Sequence, residues 1–170
     1  MIEKKLAILD LPEETRRLVG ECELTGSRTI FERNDRPVAM LVSYDEYLAL
    51  RETIDVANDP AIRAELDASD QAIARNALLL PEELNERRVA NDRIRLAEPV
   101  EAQWHALAEH EQAAIGEAFA IIDEDPIAGA PFFEPLRGMW SYRSGHLRLI
   151  YRIVAEARFV VILAIGRAAA

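Results

Sequence analysis

The end of the chain sets the tightest limit on its fold. Three β-rich runs, "GMWSYRS" (138–144), "LRLIYRIVA" (147–155) and "RFVVILAIG" (158–166), follow one another across very short connections. Such runs pair as antiparallel neighbours, and the sheet they form must bury an apolar face against another layer. The cover lies just upstream. "VEAQWHALAEHEQAAIGEAFAIID" carries apolar spacing for a pair of helices, or one kinked helix, ending at "EDP". Before it, "RIRLAEP" reads as a strand ended by Pro99, and "IAGAPFFEPLRG" reads as a loop rich in Gly and Pro. The expected fold class is α+β, with two helices packed on an antiparallel sheet over residues 92–167.

Strand geometry then sorts the side chains of the middle run. Leu147, Leu149, Tyr151 and Ile153 share one face, and Arg148, Ile150, Arg152 and Val154 the other. Helices on one side leave the second face open to a ligand. Guanidinium groups there can grip a phosphodiester bidentately and stabilise a pentacoordinate transition state. Metal-free RNA cleavage needs little more: attack by the 2′-hydroxyl, cations on the non-bridging oxygens, and a general acid for the leaving 5′ oxygen. His146 or a tyrosine can be that acid. The same arginines would equally serve as solvated groups or as partners of helix carboxylates, and His146 beside Gly145 as a plain turn residue. No His/Cys/Asp/Glu cluster has metal-site spacing, so no metal or cofactor is expected.

The first half is different in kind. Residues 1–92 hold 12 lysines and arginines against 20 acids, whereas residues 93–170 hold 8 against 10, which points to two modules. "KKLAILDL" alternates like a short strand from Leu6 to Ile8. A helix is expected after Pro12, with Glu13 and Glu14 in its first turn and Gly26 as its stop. "RTIFER" and "PVAMLVS", joined at Asn34 and Asp35, predict a hairpin. Ser43 with Glu46 predicts a capping box on the helix that follows. From there to Asn91 the pattern is helical, acidic and poor in aromatics. Its apolar stripe (Ile62, Leu66, Ile73, Ala77) and the cluster Leu78, Leu79, Leu80 and Leu84 have nothing local to pack on, so a partner surface is expected. The lone Cys22 excludes a disulfide within the chain and reads as a small buried hydrophobe. With no long apolar run and no signal-peptide core, the expected location is cytoplasmic, away from membranes.

Two resemblances sharpen this reading. Residues 134–167, "EPLRGMWSYRSGHLRLIYRIVAEARFVVILAIGR", resemble the C-terminal sheet of RelE/ParE-superfamily toxins, and the upstream helical pair fits that family's helical hairpin. "SRTIFERNDRPVAMLVSYDEYLAL" is similar to the Phd/YefM antitoxin family. Together they imply a single-chain toxin–antitoxin fusion. A Phd/YefM-like β-α-β-β-α dimerisation and DNA-binding domain would span 1–54, an acidic helical neutralising segment 55–91, and the toxin domain 92–167. Residues 168–170, "AAA", read as a scar or altered tail. The toxin resemblance implies Arg148 at the scissile phosphate, with Arg143 and Arg167 as further cations, and His146 stays the candidate acid from the chemistry above. The antitoxin resemblance implies a homodimer that contacts operator DNA through Arg16, Arg17 and Arg33. Leu66, Ile73, Leu78, Leu79, Leu80 and Leu84 would brace the neutralising segment on its own toxin domain. The implied target is ribosome-bound mRNA, or DNA gyrase if the toxin follows the ParE branch. The nuclease, if active, is expected to be silent in this chain, and a further alternative is a regulatory DNA-binding dimer with an inactive toxin domain.

Overall fold

The computed structural model describes residues 4–84, 93–154 and 158–168. The chain divides into two compact units, Met1–Leu50 and Arg51–Ala170.

In the first unit, helix α1 (Glu13–Thr25) begins directly after Pro12 and stops at Gly26. Gly26 adopts φ 65° and its N–H donates to the Cys22 carbonyl, so a left-handed residue closes the helix as expected of glycine. Strands β1 (Thr29–Arg33) and β2 (Arg36–Leu41) pair antiparallel. Asn34 and Asp35 between them have φ 52° and 59°. Two consecutive positive φ values define the turn whose twist matches a tight hairpin, and Asn and Asp tolerate them best after Gly. Helix α2 (Tyr44–Asn58) starts with the Ser43 hydroxyl accepting the Glu46 N–H at 3.1 Å. The strand expected at Leu6–Ile8 is absent. Ile8–Asp10 forms a 3₁₀ turn, in which the Asp10 and Leu11 N–H groups donate back to the Ala7 and Ile8 carbonyls. A three-residue alternation is too short to compete with such local hydrogen bonds. Among the described residues of this unit only Cys22 and Ala49 are buried apolar residues.

The second unit takes up the remainder of α2, then α3 (Pro60–Ala74), β3 (Leu78–Leu79), α4 (Pro81–Leu84), β4 (Ile94–Ala97), α5 (Val100–His105), α6 (Glu109–Glu124), β5 (Ala130–Pro131), β6 (Met139–Ser144), β7 (Leu147–Val154) and β8 (Phe159–Arg167). The sheet has six strands in the order β3-β4-β8-β7-β6-β5. It is antiparallel except between β4 and β8, which run parallel because the α5–α6 hairpin crosses between them. Two of its strands were not expected. The Leu78–Leu79 pair, read as part of a helical apolar stripe, adds an edge to β4, and Ala130–Pro131 adds the opposite edge to β6.

Helices lie on both faces. Leu147, Leu149 and Tyr151 are fully buried in the core that includes Val100, Trp104, Ile115, Phe119 and Ile122 of α5 and α6. Trp104 stacks on Phe119 with centroids 6.0 Å apart, and Trp140 on Tyr151 at 6.4 Å. Helix α3 packs on β8 and β4. It starts at a well-formed cap, where Asp59 Oδ1 accepts the N–H groups of Ala61 (2.9 Å) and Ile62 (3.3 Å) and Pro60 occupies the first helical position. Its Leu66, Ser69 and Ala72 are buried. Burying side chains of this kind contributes roughly 1.5–3 kcal/mol for each large one. The acidic segment is thus part of the same core as the sheet.

Candidate functional site

The face of the sheet turned toward α2 and α3 carries Ser141 and Arg143 from β6 and Arg148, Ile150 and Arg152 from β7. The register requires this: Arg143 pairs with Arg148, Ser141 with Ile150 and Met139 with Arg152. Two guanidinium groups at one cross-strand position repel unless an anion lies between them. Glu52 of α2 is that anion. Its Oε1 accepts from Arg148 Nη1 (3.0 Å) and from the Ser141 hydroxyl (3.0 Å), and its Oε2 accepts from Arg143 Nη2. Arg148 is 4% exposed and the Glu52 side chain 9%, so this ion pair is desolvated, while Arg143 at its rim stays about half exposed. Burial pushes the Glu52 carboxyl up, but the bonds from Arg143, Arg148 and Ser141 outweigh it and hold the group below its ordinary value. A tetrahedral phosphate presents the same acceptors to the same donors.

Further along β7, Arg152 Nη1 lies 2.9 Å from Asp70 Oδ1 of α3, a charge contact without hydrogen-bond alignment. Between these two pairs, the Ser69 hydroxyl donates to the Leu163 carbonyl at 2.5 Å. Leu163 is the extra residue of a bulge, because Ile150 pairs with Ala164 and Tyr151 with Ile162. A bulge leaves backbone groups without a ladder partner, and α3 supplies one. A small cleft of about 160 Å³ opens beside Arg148, lined by Asp59, Ile62, Glu65, Ile150, Ala164 and Arg167. Burial, with help from the Asp59 charge, raises the Glu65 carboxyl above its ordinary value despite the attraction of Arg148.

The four residues expected to act together form two sets. Arg143 and Arg148 meet on Glu52, whereas His146 and Arg167 meet on Glu111 at the start of α6. Glu111 Oε1 lies 2.8 Å from His146 Nε2 and 3.4 Å from Arg167 Nη2, and its Oε2 accepts the Ala108 N–H at 2.9 Å. Those contacts, the histidine first, hold the Glu111 carboxyl down to about 2. His146 and Arg167 are mostly exposed, at 60% and 74%.

The remaining candidates are placed as follows. Leu66 and Leu84 are buried, Ile73, Leu78 and Leu79 pack partly buried on the core, and Leu80 is 39% exposed. Five of the six thus lie in or against the core of the second unit. Residues 85–91 of the expected neutralising segment, and Ala169 and Ala170, lie outside the described residues. Arg16, Arg17 and Arg33 are exposed in the first unit, with Arg17 3.9 Å from Glu21. Among the described residues no group of His, Cys, Asp and Glu is arranged to hold a metal, and no helix is long and apolar enough to cross a membrane.

Glu52 and Glu111 were not among the candidates, and Arg152, placed on the guanidinium face of the strand, was given no role of its own. For the carboxylates a signal existed: Glu52 stands four residues before buried Val56, and Glu111 continues the stripe of Ile115, Ala118 and Ile122. An acid on an apolar helix face needs a buried partner.

The profile of the "ParE toxin of type II toxin-antitoxin system, parDE" matches residues 85–170. Among solved structures the chain is similar to the toxin–antitoxin complex RelBE2 from Mycobacterium tuberculosis, at 33% identity and a TM-score of 0.43 over 45% of this chain and 96% of that one. It is similar to the isolated E. coli RelE toxin at 18% identity and a TM-score of 0.41, over 46% and 85% of the two chains. The intact E. coli RelBE toxin–antitoxin complex compares at 19% identity and 0.40, over 46% and 98%. None of the curated proteins matches.

Proposed function

The chain belongs to the ParE toxin family of type II toxin–antitoxin systems, and from that premise we propose that it is a toxin and its antitoxin in one polypeptide, silenced by its own residues 51–84. The observation that carries this reading is Glu52, whose single carboxylate takes Arg143, Arg148 and Ser141 together. It stands where a substrate phosphate would have to bind. Tethering gives the cover a high effective concentration, so it hardly ever leaves by simple dissociation.

Released from the cover, the toxin acts as a metal-independent, ribosome-dependent mRNA endonuclease. Arg143 and Arg148 hold the non-bridging oxygens while the 2′-hydroxyl gives its proton to water and attacks phosphorus, and the bond to the 5′ oxygen breaks as His146, once released from Glu111, gives that oxygen a proton. The first unit is the Phd/YefM-like part, a homodimer that binds operator DNA through Arg16, Arg17 and Arg33 and so regulates its own expression. Its exposed Ile30, Phe31, Val38 and Met40, beside only two buried apolar residues among those described, support dimerisation, since about 50 residues seldom build a sufficient core alone. A second reading, a ParE-type gyrase inhibitor, is favoured by the family match and by the absence of lysine from residues 93–170.

Induction of residues 85–170 and of the full chain in a bacterial host, each beside its Arg148→Ala variant, separates these readings. Arrest is expected from the piece alone and lost in the variant. Primer extension that finds cuts within codons supports the nuclease, whereas intact messages with altered plasmid supercoiling support gyrase. No arrest from the piece would end the toxin reading.

A further inference from the structure

Arg152 has no part in the chemistry proposed above, yet it too is met by a carboxylate of the acidic stretch. Both side chains project from β7 on the same face, four residues apart, which places them about 13 Å from each other along the strand. Each is met by one carboxylate, Arg148 by Glu52 and Arg152 by Asp70, and the two acids come from separate helices. A merely structural tie would favour good alignment in a sealed site. Asp70 and Arg152 instead keep 45% and 33% of their side chains exposed, and the contact lacks hydrogen-bond geometry although the Asp70 Oδ1 that makes it is buried. Such a pair adds little to stability and leaves the guanidinium free to exchange partners. From this repeated pairing we infer that Arg152 is a second phosphate-binding residue, holding a phosphate of the same RNA strand further along than the scissile one, and that Asp70 occupies its place in the silent chain. The inference rests on the RNA-cleaving reading.

The bound strand would then run along β7 from the Arg143–Arg148 end toward the end of the sheet that carries Phe159. A separation of about 13 Å exceeds a single nucleotide step, so the two arginines grip different phosphates. Arg152 adds affinity and register without touching the reacting atoms.

The test uses the full chain carrying Ser69→Pro together with Glu52→Gln, so that α3 opens and Arg148 loses the carboxylate that fills its site. Proline removes the hydroxyl that ties α3 to the Leu163 carbonyl and breaks the helix in its interior, and hydrogen exchange verifies that α3 has opened. A short fluorescent single-stranded oligoribonucleotide is titrated over a range of salt concentrations. In this background Arg152→Gln is expected to weaken binding about tenfold. It is also expected to lower the slope of log K against log salt by about 0.7. Arg75→Gln, which removes an exposed cation paired with Glu98, is expected to change neither. The double variant Asp70→Asn with Arg152→Gln restores a neutral pair; recovery of stability without recovery of binding separates recognition from folding. Equal binding by the Arg152→Gln and parent chains, with Arg148→Gln impaired, would overturn the role of Arg152 alone. Indifference of binding to Arg148→Gln, or no RNA binding by the opened chain, would overturn the underlying reading as well.

Discussion

Arg148 and Glu52 are 96 residues apart and make the most desolvated ion pair described in the chain. Removing one partner of such a pair leaves a buried charge, so Arg148→Met is expected to lower stability by roughly 3 kcal/mol. Removing both, as Arg148→Met with Glu52→Leu, should cost much less, and urea unfolding of the single and double variants measures the difference. A result in which the double variant is the less stable would mean that Arg143 and Ser141 depend on Glu52 more than Arg148 does. Glu111 makes a pH-dependent contribution of definite sign. Its carboxyl titrates near 4.5 when unperturbed and at about 2 in the folded chain, lowered chiefly by His146. The stabilisation is complete above the unfolded value and is lost as pH falls toward 2. The stability gap between the parent chain and Glu111→Gln should therefore stay level from neutral pH down to about 4.5 and close below it. A gap that is constant into strong acid would remove Glu111 from the titration. Neither carboxylate was legible as a site, because a contact between residues 52 and 148 has no sequence signal beyond an acid on an apolar helix face.

Local chemistry made several elements readable in advance. The α1 stop at Gly26, the Asn34–Asp35 turn and the Ser43 cap each need a particular residue type for a backbone reason, and those types are present. The elements that escaped prediction exist only through distant partners. Leu78–Leu79 is a strand because β4 offers it an edge, and Ala130–Pro131 because β6 does. The approach to β5 also explains Gly129. A Cβ there would lie 2.5 Å from the Ser141 carbonyl oxygen and 2.6 Å from the Tyr151 hydroxyl. That hydroxyl accepts the Gly129 N–H and donates to the Pro126 carbonyl, and its burial pushes the Tyr151 pKa up to about 12. Gly129→Ala should consequently displace β5 or Tyr151 and cost about 1–3 kcal/mol, read by thermal unfolding. Unchanged stability would show that the loop yields freely. The expectation of an antiparallel sheet under two helices holds for most of the sheet, and the parallel β4–β8 pair follows from the helical crossover.

At the scale of the molecule, an acidic stretch without a core of its own completes the sheet, satisfies its bulge and neutralises its arginines. Its apolar stripe called for a partner surface, and the surface is the second half of the same chain. What the sequence concealed is the economy of that match: one carboxylate serves two strands, and one hydroxyl serves one bulge. The central claim is that this stretch silences the toxin by occupying its cationic face. Supplying the two parts separately tests it most directly, with the growth rate measured on induction of residues 85–170 alone, beside residues 1–84, and beside residues 1–84 carrying Glu52→Arg. Arrest is expected in the first case, relief in the second and persistent arrest in the third, because a third cation beside Arg143 and Arg148 repels the cover. Relief that is indifferent to Glu52→Arg would contradict it, since neutralisation would then not depend on filling the arginine site.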